Sequence, residues 1–496
     1  MKNFKVAGAC VPSKHYMVDI SNKITQIKKL IDSGSYFTIN RARQYGKTTT
    51  LYELRRCLAD EYTVVKISFE GLGDETFASP EEFCPAFVGL IVMALRSPAI
   101  VVEQKYINEW EDYSGIDFNS LSRHITKMCR DKKIVLMIDE VDKTSNNRVF
   151  VHFLSMLRNK YQASDHGDDY TFHSVILAGV YDIKNIKLKM IREGLYAPVE
   201  TETKINNSLW NIAVNFTVDM SFSPTEIATM LKDYEAENST GVDIIEISEE
   251  IYKYTSGYPF MVSRICQCID EELNKEWTLE GIQKAVQILL NESNMLFDDL
   301  KKNIEMYPDL EKFLREVLFQ GENKTFNIDN STISLGYMFG YLKSENGRAL
   351  VSNKIIEMRI YNYFITENEN SGEIKIKPPQ KSEIVENGRF NMELFLRKFA
   401  QHYTEIFKLK DERFLESHGG LLFLTYLKSF INGHGFCHIE SQTNDFKIDI
   451  IVDYESEQFI IELKRWYGPK AHEEACNQLV NYLTNQERGY RIPLDF

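Results

Sequence analysis

With 496 residues the chain is long enough for about three domains, and its 43% hydrophobic content can fill several cores. Seventy-two acidic residues against 58 basic ones give a net charge of −14, which excludes a broadly cationic nucleic-acid surface and leaves only local contacts with a polyanion. No window approaches ~18 uncharged apolar residues and no apolar stretch follows Met1-Lys2-Asn3-Phe4-Lys5, so a membrane span and a secretory signal are not expected. The expected location is the cytoplasm, and the eight scattered cysteines, with no C-x-x-C pair, read as reduced thiols.

Strands alternate with helices in the first half. Tyr36 to Asn40 predicts a short strand, Thr49 to Leu58 a helix, Thr63 to Ser68 a strand, and Ile134 to Ile138 and Val175 to Ala178 two buried strands. That alternation predicts an α/β fold on a parallel sheet. Between the first strand and helix stands Arg43-Gln44-Tyr45-Gly46-Lys47-Thr48-Thr49, the context of a phosphate-binding loop. Backbone N–H groups at the helix start would cradle phosphate, Lys47 would reach the β/γ-phosphates, and Thr48 would hold Mg²⁺. The full pattern wants a glycine five residues before Gly46, where Arg41 stands. The apolar strand at Ile134 ends in Asp139-Glu140. There Asp139 would position Mg²⁺ and Glu140 would polarise the attacking water.

Residues 5 to about 365 resemble the bacterial and archaeal AAA-ATPase-like family, similar in turn to signal-transducing P-loop ATPases with a helical lid and winged helix. The resemblance is carried by Val11 to Asp19, the loop from Arg41 to Thr48, Ile138-Asp139-Glu140, Val218 to Ser223, and Ser256-Gly257-Tyr258-Pro259-Phe260. It implies that Arg41 is the expected residue in an arginine-rich loop, that the Gly257-x-Pro259 turn belongs to a lid near the nucleotide, and that ATP is the ligand. Arg158 and Arg264 are candidates for the γ-phosphate. No polar sensor follows Val175 to Ala178, where Gly179 and Tyr181 stand.

From Ser223 the text turns helical, with Pro224-Thr225-Glu226 opening a helix, and residues 300 to 366 read as short helices followed by a small hairpin. With the resemblance, the expected domains are an ATPase domain at 1–222, a lid at 223–299, a winged-helix-like domain at 300–366, a polar linker at 367–383 and a separate α/β unit at 384–496.

In that last unit Lys447 to Val452 and Phe459 to Lys464 predict two strands around a turn at Asp453 to Gln458. If the turn is symmetric, paired numbers sum to 911, so Asp449 faces Glu462. Opposed side chains sit roughly 4.5–5.5 Å apart, where like charges repel, and Lys464 shares their face. Two acids and an amine on one face suggest a divalent-metal site. Glu416 opens an apolar helix from Leu421 to Ile431, Gln478 and Tyr482 fall at i and i+4 on a later helix, and Tyr490 to Phe496 supplies a last strand. These features resemble the PD-(D/E)XK nuclease superfamily, whose fold is a restriction-endonuclease-like α/β/α unit. The resemblance implies Mg²⁺ (or Mn²⁺) on Asp449 and Glu462, with Lys464, Glu416 and Gln478 catalytic. From Glu383 to Phe496 there are 13 basic and 18 acidic residues, so binding a polyanion needs a rim such as Lys447, Arg465 and Lys470.

The leading expectation is an ATP-regulated, metal-dependent nuclease acting on DNA or RNA, in defence against mobile elements or in nucleic-acid processing. The alternative is a nucleotide-dependent signalling or scaffold ATPase whose nuclease-like domain is a non-catalytic binding module. A recombinase would require strand joining as well. Nucleic acid and nucleotide are the expected partners, with a homo-oligomer implied if Arg158 reaches a neighbouring subunit.

Overall fold

The computed structural model describes residues 2–141, 148–180, 210–319, 324–371, 384–386, 389–407, 423–424, 426–427, 430–431, 435–441, 448–454, 457–464 and 490–495. They fall into two compact units, Met1–Leu289 with Met338–Gly340, and Leu290–Tyr337 with Tyr341–Phe496.

In the first unit helix α1 (Ser21–Asp32) precedes strand β1 (Phe37–Asn40), helix α2 (Lys47–Leu58) and strand β2 (Thr63–Ser68). Helices α3 (Pro80–Leu95), α4 (Gln104–Glu111) and α5 (Phe118–Cys129) lead to β3 (Ile134–Asp139), then α6 (Arg148–Asp165) and β4 (Ser174–Gly179). The four strands pair in parallel in the order β1-β4-β3-β2. Val214 bridges Phe37 in parallel on the other side of β1. Every residue of β3 and β4 is buried, because helices cover both faces. One face packs Val65, Leu136 and Leu177 against Phe83, Phe87 and Phe153; the other packs Ile39, Val135 and Ile176 against Ile27, Leu51 and Leu54. The fold class is as the alternation predicts. Helix α2 starts two residues before the predicted Thr49, because Gly46 at φ 79° turns the chain into the helix at Lys47.

His124 of α5 lies 5.1 Å from the rings of both Trp110 and Tyr113, and burial lowers its pKa to about 4. Below the ordinary value near 6.5 the unfolded chain therefore takes up a proton that the folded chain refuses. Stability from this site is present above that value and is lost as pH falls towards 4. Between about pH 7 and about pH 5 the melting temperature of the wild-type chain should fall further than that of His124→Phe. Equal falls in a thermal melt at the two pH values would remove His124 from the acid sensitivity.

After Trp210 the unit becomes helical. Ser223 and Glu226 form a reciprocal capping box on the helix Pro224–Asn238, as the Pro-Thr-Glu signal predicts. Helices Ile244–Thr255 and Pro259–Gln267 follow, and the latter continues into a single π turn at Cys268–Glu272. The N-terminal segment is fastened to the first of these helices: Tyr16 Oη donates to Glu237 at 3.0 Å, Asp19 N to Thr229 Oγ1 at 2.8 Å, and Lys23 pairs with Glu226 at 2.7 Å.

The second unit begins with helices Met295–Met306 and Pro308–Phe319. An antiparallel hairpin of β5 (Leu342–Glu345) and β6 (Arg348–Val351) follows, then an 18-residue helix, Lys354–Ser371. The sequence reading ended at the hairpin; the helix after it takes in the first residues of the polar stretch read as a linker. Its buried stripe of Ile356, Ile360 and Phe364 and the Arg315–Glu367 pair at 2.9 Å hold it.

Beyond it lie the short pair β7 (Val385–Glu386) and β8 (Arg389–Phe390), the helix Met392–Phe407, and β9 (Gly435–Ser441), β10 (Ile448–Tyr454), β11 (Glu457–Lys464) and β12 (Tyr490–Asp495). The four long strands form one sheet in the order β12-β11-β10-β9, antiparallel except for the parallel pair β11 and β12. Phe390, Phe395 and Phe459 join Tyr454 in an aromatic core on one face. No helix among the described residues is long and apolar enough to cross a membrane.

Candidate nucleotide and metal sites

The sheet order decides where polar groups can meet. Strand β4 separates β1 from β3, so the loop after β1 and the acids after β3 lie two strand spacings apart, about 10 Å. Both leave the carboxyl edge of the sheet, beside a switch in strand order, which is where open α/β sheets bind ligands. Gly46 is the N-cap of α2 and has no side chain to offer, so the first-turn amides are left to other partners, as at an anion-binding helix start. Lys47 is buried, and its Nζ donates to the carbonyls of Arg41 and Ala42, each at 2.9 Å. Gln44 holds φ 56° and Glu140 φ 55°, strained for residues other than glycine. Asn40 Oδ1 and Gln44 Oε1 are buried acceptors with no hydrogen-bond partner among the described residues.

Arg41 has a structural task in place of the missing glycine. Its guanidinium donates to Asn40 O at 2.9 Å and Val218 O at 3.0 Å and lies 5.5 Å from the ring of Phe216. Arg43 is exposed, and its carbonyl accepts from Tyr258 Oη at 2.5 Å. The ring of Tyr258 meets Tyr45 edge-on at 4.6 Å, and Gly46 faces Pro259. The Gly257-Tyr258-Pro259 turn is thus seated on the loop. Thr48 is half-buried, while the Thr49 hydroxyl accepts from Cys10 N at 3.1 Å.

Asp139 is buried; one carboxylate oxygen accepts from Glu140 N at 3.1 Å and the other lies 3.4 Å from Lys66 Nζ. Lys66 was not singled out from the sequence. It sits in an ordinary strand pattern, and only the β2–β3 register reveals its neighbour. Arg264 donates to Gln267 at 2.9 Å and Glu272 at 2.7 Å, which accounts for its charge locally. Arg158 lies on α6 with its Nε buried and without a hydrogen-bond partner among the described residues.

In the second unit Asp449 pairs with Glu462 and Val452 with Phe459, the register expected from a symmetric turn. The strands run further than predicted, to Tyr454 and from Glu457, leaving only residues 455–456 between them. The physical reason is burial: Tyr454 is 2% exposed and packs 5.3 Å from Phe390, so pairing continues to the tip. Ile450, Val452, Tyr454, Phe459 and Ile461 are buried, so period two assigns Asp449, Glu462 and Lys464 to the opposite face. The third strand adds Glu440, which pairs with Asp449 from β9, so three acids stand in one row across the sheet. Sequence reasoning missed Glu440 because its strand carries no motif. The candidates Glu416, Gln478, Tyr482, Lys447, Arg465 and Lys470 lie outside the described residues.

Comparison with known proteins gives one family match: the profile of the AAA-like domain covers residues 8–364. An uncharacterized WD repeat-containing protein of Synechocystis sp. is 22% identical over 247 residues, 49% of this chain. The chain spans only 19% of that relative's length. Among solved structures, a Walker-type ATPase of Pyrococcus abyssi is similar over 72% of this chain and 99% of its own, with 12% identity and a TM-score of 0.48. The ORC2 protein of Aeropyrum pernix, solved with ADPNP and ADP, is similar over 69% of this chain and 93% of its own, with 12% identity and a TM-score of 0.35.

Proposed function

The chain belongs to the AAA-like domain family, and from that premise we propose that it binds ATP in its first unit and uses that binding to regulate a metal-dependent nuclease in its second. For the first half, the carrying observation is the convergence of the Gly46–Lys47 helix start, the Asp139–Glu140 strand end and the Tyr258–Pro259 turn at one edge of a parallel sheet. In this reading Gln44 to Lys47 meet the phosphates with backbone amides and an ammonium, and Thr48 and Asp139 are the residues that would hold a Mg²⁺ brought in with the nucleotide. Glu140, at the strand end, is the base for water. Lys47 must give up its two carbonyl partners to reach a phosphate. Lys47→Ala should therefore weaken ATP binding by about a hundredfold, the worth of one or two charge-assisted hydrogen bonds. Isothermal titration that finds wild-type affinity in this variant would end the phosphate-loop reading.

For the nuclease half, the carrying observation is the register that sets Asp449 against Glu462 with Lys464 on the same face. The sheet order β12-β11-β10-β9 supports it, since Tyr490–Asp495 supplies the expected last strand and lies beside the strand that carries Glu462 and Lys464. A metal bound there would supply an activated water and charge neutralisation on the scissile phosphate. Asp449 and Glu462 provide its oxygens, and Lys464 orients water and stabilises the developing charge. Glu416 and Gln478 are assigned supporting catalytic roles. The substrate is a DNA or RNA phosphodiester, and defence against mobile elements is the cellular role that fits such a pairing. The test is cleavage of single- and double-stranded DNA and RNA with Mg²⁺ or Mn²⁺, with and without ATP, in wild type and Lys47→Ala. An ATP response present in the wild type and absent from the variant is expected. Cleavage that ignores ATP in both would separate the two units functionally.

A further inference from the structure

Lys66 and Asp139 form a buried ion pair at the carboxyl edge of the first sheet. Strands β2 and β3 run parallel with Ser68 opposite Asp139, and Lys66 lies two residues before Ser68, so Lys66 and Asp139 share a face. The ammonium is 3.4 Å from Asp139 Oδ2, and the two side chains are 8% and 3% exposed. On its other side the same ammonium sits 4.5 Å from the ring centroid of Tyr52, on the helix that begins at Lys47. Lys66 therefore ties the strand-end acid to the helix of the candidate phosphate loop. Asp139 Oδ1 accepts from Glu140 N, so both oxygens of the carboxylate are engaged.

A carboxylate this deeply buried needs a partner of opposite charge. We propose that Lys66 is the resident counter-ion of Asp139, a positioning residue that lets the site hold nucleotide with little help from a divalent cation. The proposal rests on the nucleotide-site reading above. Its physical basis is competition. An ammonium within 4 Å of a carboxylate repels a second cation drawn to the same group, and in a poorly screened interior that repulsion is strong. The site is already neutral at Asp139. Mg²⁺ gains less there than at a bare acid, and phosphate charge meets Lys47 even without metal. Tyr52 confines the ammonium, so it stays as a fixed charge.

The experiment titrates ATP into the full chain, in Mg²⁺ and in EDTA, for wild type, Lys66→Met and Lys66→Arg. Lys66→Met keeps the apolar stem on Tyr52 and removes the charge; Lys66→Arg keeps the charge. The wild-type Kd should differ by less than about threefold between the two conditions, and that of Lys66→Met by at least about tenfold. Lys66→Arg should follow the wild type. A wild-type ratio of tenfold or more, an unchanged ratio in Lys66→Met, or a widened ratio in Lys66→Arg overturns the proposal. Should Lys66→Met fail to fold, the wild-type and Lys66→Arg ratios still decide it. Mg²⁺ alone gives a reading independent of nucleotide. It should raise the melting temperature of Lys66→Met by more than that of the wild type, since any binding by the second unit's acids is common to both, and equal shifts overturn the proposal. Absence of ATP binding in the wild type counts against the nucleotide reading, and the Mg²⁺ melts then decide the counter-ion role by themselves.

Discussion

Asp449→Ala should lower metal-dependent cleavage at least a thousandfold, the rate equivalent of about 4 kcal/mol. The size follows from the position of Asp449 in the row. It is the central acid, paired on one side with Glu440 and on the other with Glu462. In the proposed reading its loss removes a metal ligand and with it the activated water. Glu462→Ala should match it, because a hard cation held by two carboxylates is lost with either. Lys464→Ala should cost less, roughly a hundredfold to a thousandfold, the usual effect of deleting one group that stabilises developing charge. The fold should survive all three, since the buried face of the hairpin is carried by Ile450, Val452, Phe459 and Ile461. Thermal melts beside the cleavage assay check that point. If the three variants cleave as the wild type does, the nuclease reading fails and the scaffold alternative stands.

Gly257→Ala should cost about 3–5 kcal/mol of stability in the first unit and weaken ATP binding as well. Gly257 holds φ +72°, a region that costs an alanine about 1–2 kcal/mol. A Cβ built there would lie 1.9 Å from Phe222 O and 2.7 Å from Phe222 N, and backbone cannot swing aside as a side-chain tip can. The same contact is held by a hydrogen bond from Phe222 N to Gly257 O at 2.8 Å, so the methyl group breaks what the glycine joins. The next two residues, Tyr258 and Pro259, touch the loop at Arg43 and Gly46. Displacing the turn therefore withdraws support from the loop. Hydrogen exchange at the Phe222 and Tyr258 amides measures the local effect, and titration measures the loss of ATP affinity. Wild-type exchange and melting in Gly257→Ala would show that the turn tolerates a side chain.

Much of the candidate chemistry was legible in the sequence where it depended on neighbours along the chain. The Asp449–Glu462 register followed from two alternating apolar runs and one turn, because a hairpin fixes its own pairing and a slip of one residue would turn Ile450 and Ile461 out of the core. The parallel sheet followed from strands and helices in alternation. The start of the helix at Pro224 followed from the Pro224-Thr225-Glu226 signal.

Tertiary structure alone decided the contacts between segments far apart in the chain. It placed β4 between β1 and β3, set Lys66 against Asp139 across 73 residues, bound Arg41 to Val218, and seated the Tyr258 turn on Arg43. It also added Glu440 to the row of acids through the pairing of β9. Local periodicity records which face of a strand is buried, but not which strand lies beside it. That choice is made when whole elements pack, so the sequence by itself determined the elements and the hairpin, and only packing decided which charges meet at the carboxyl edge.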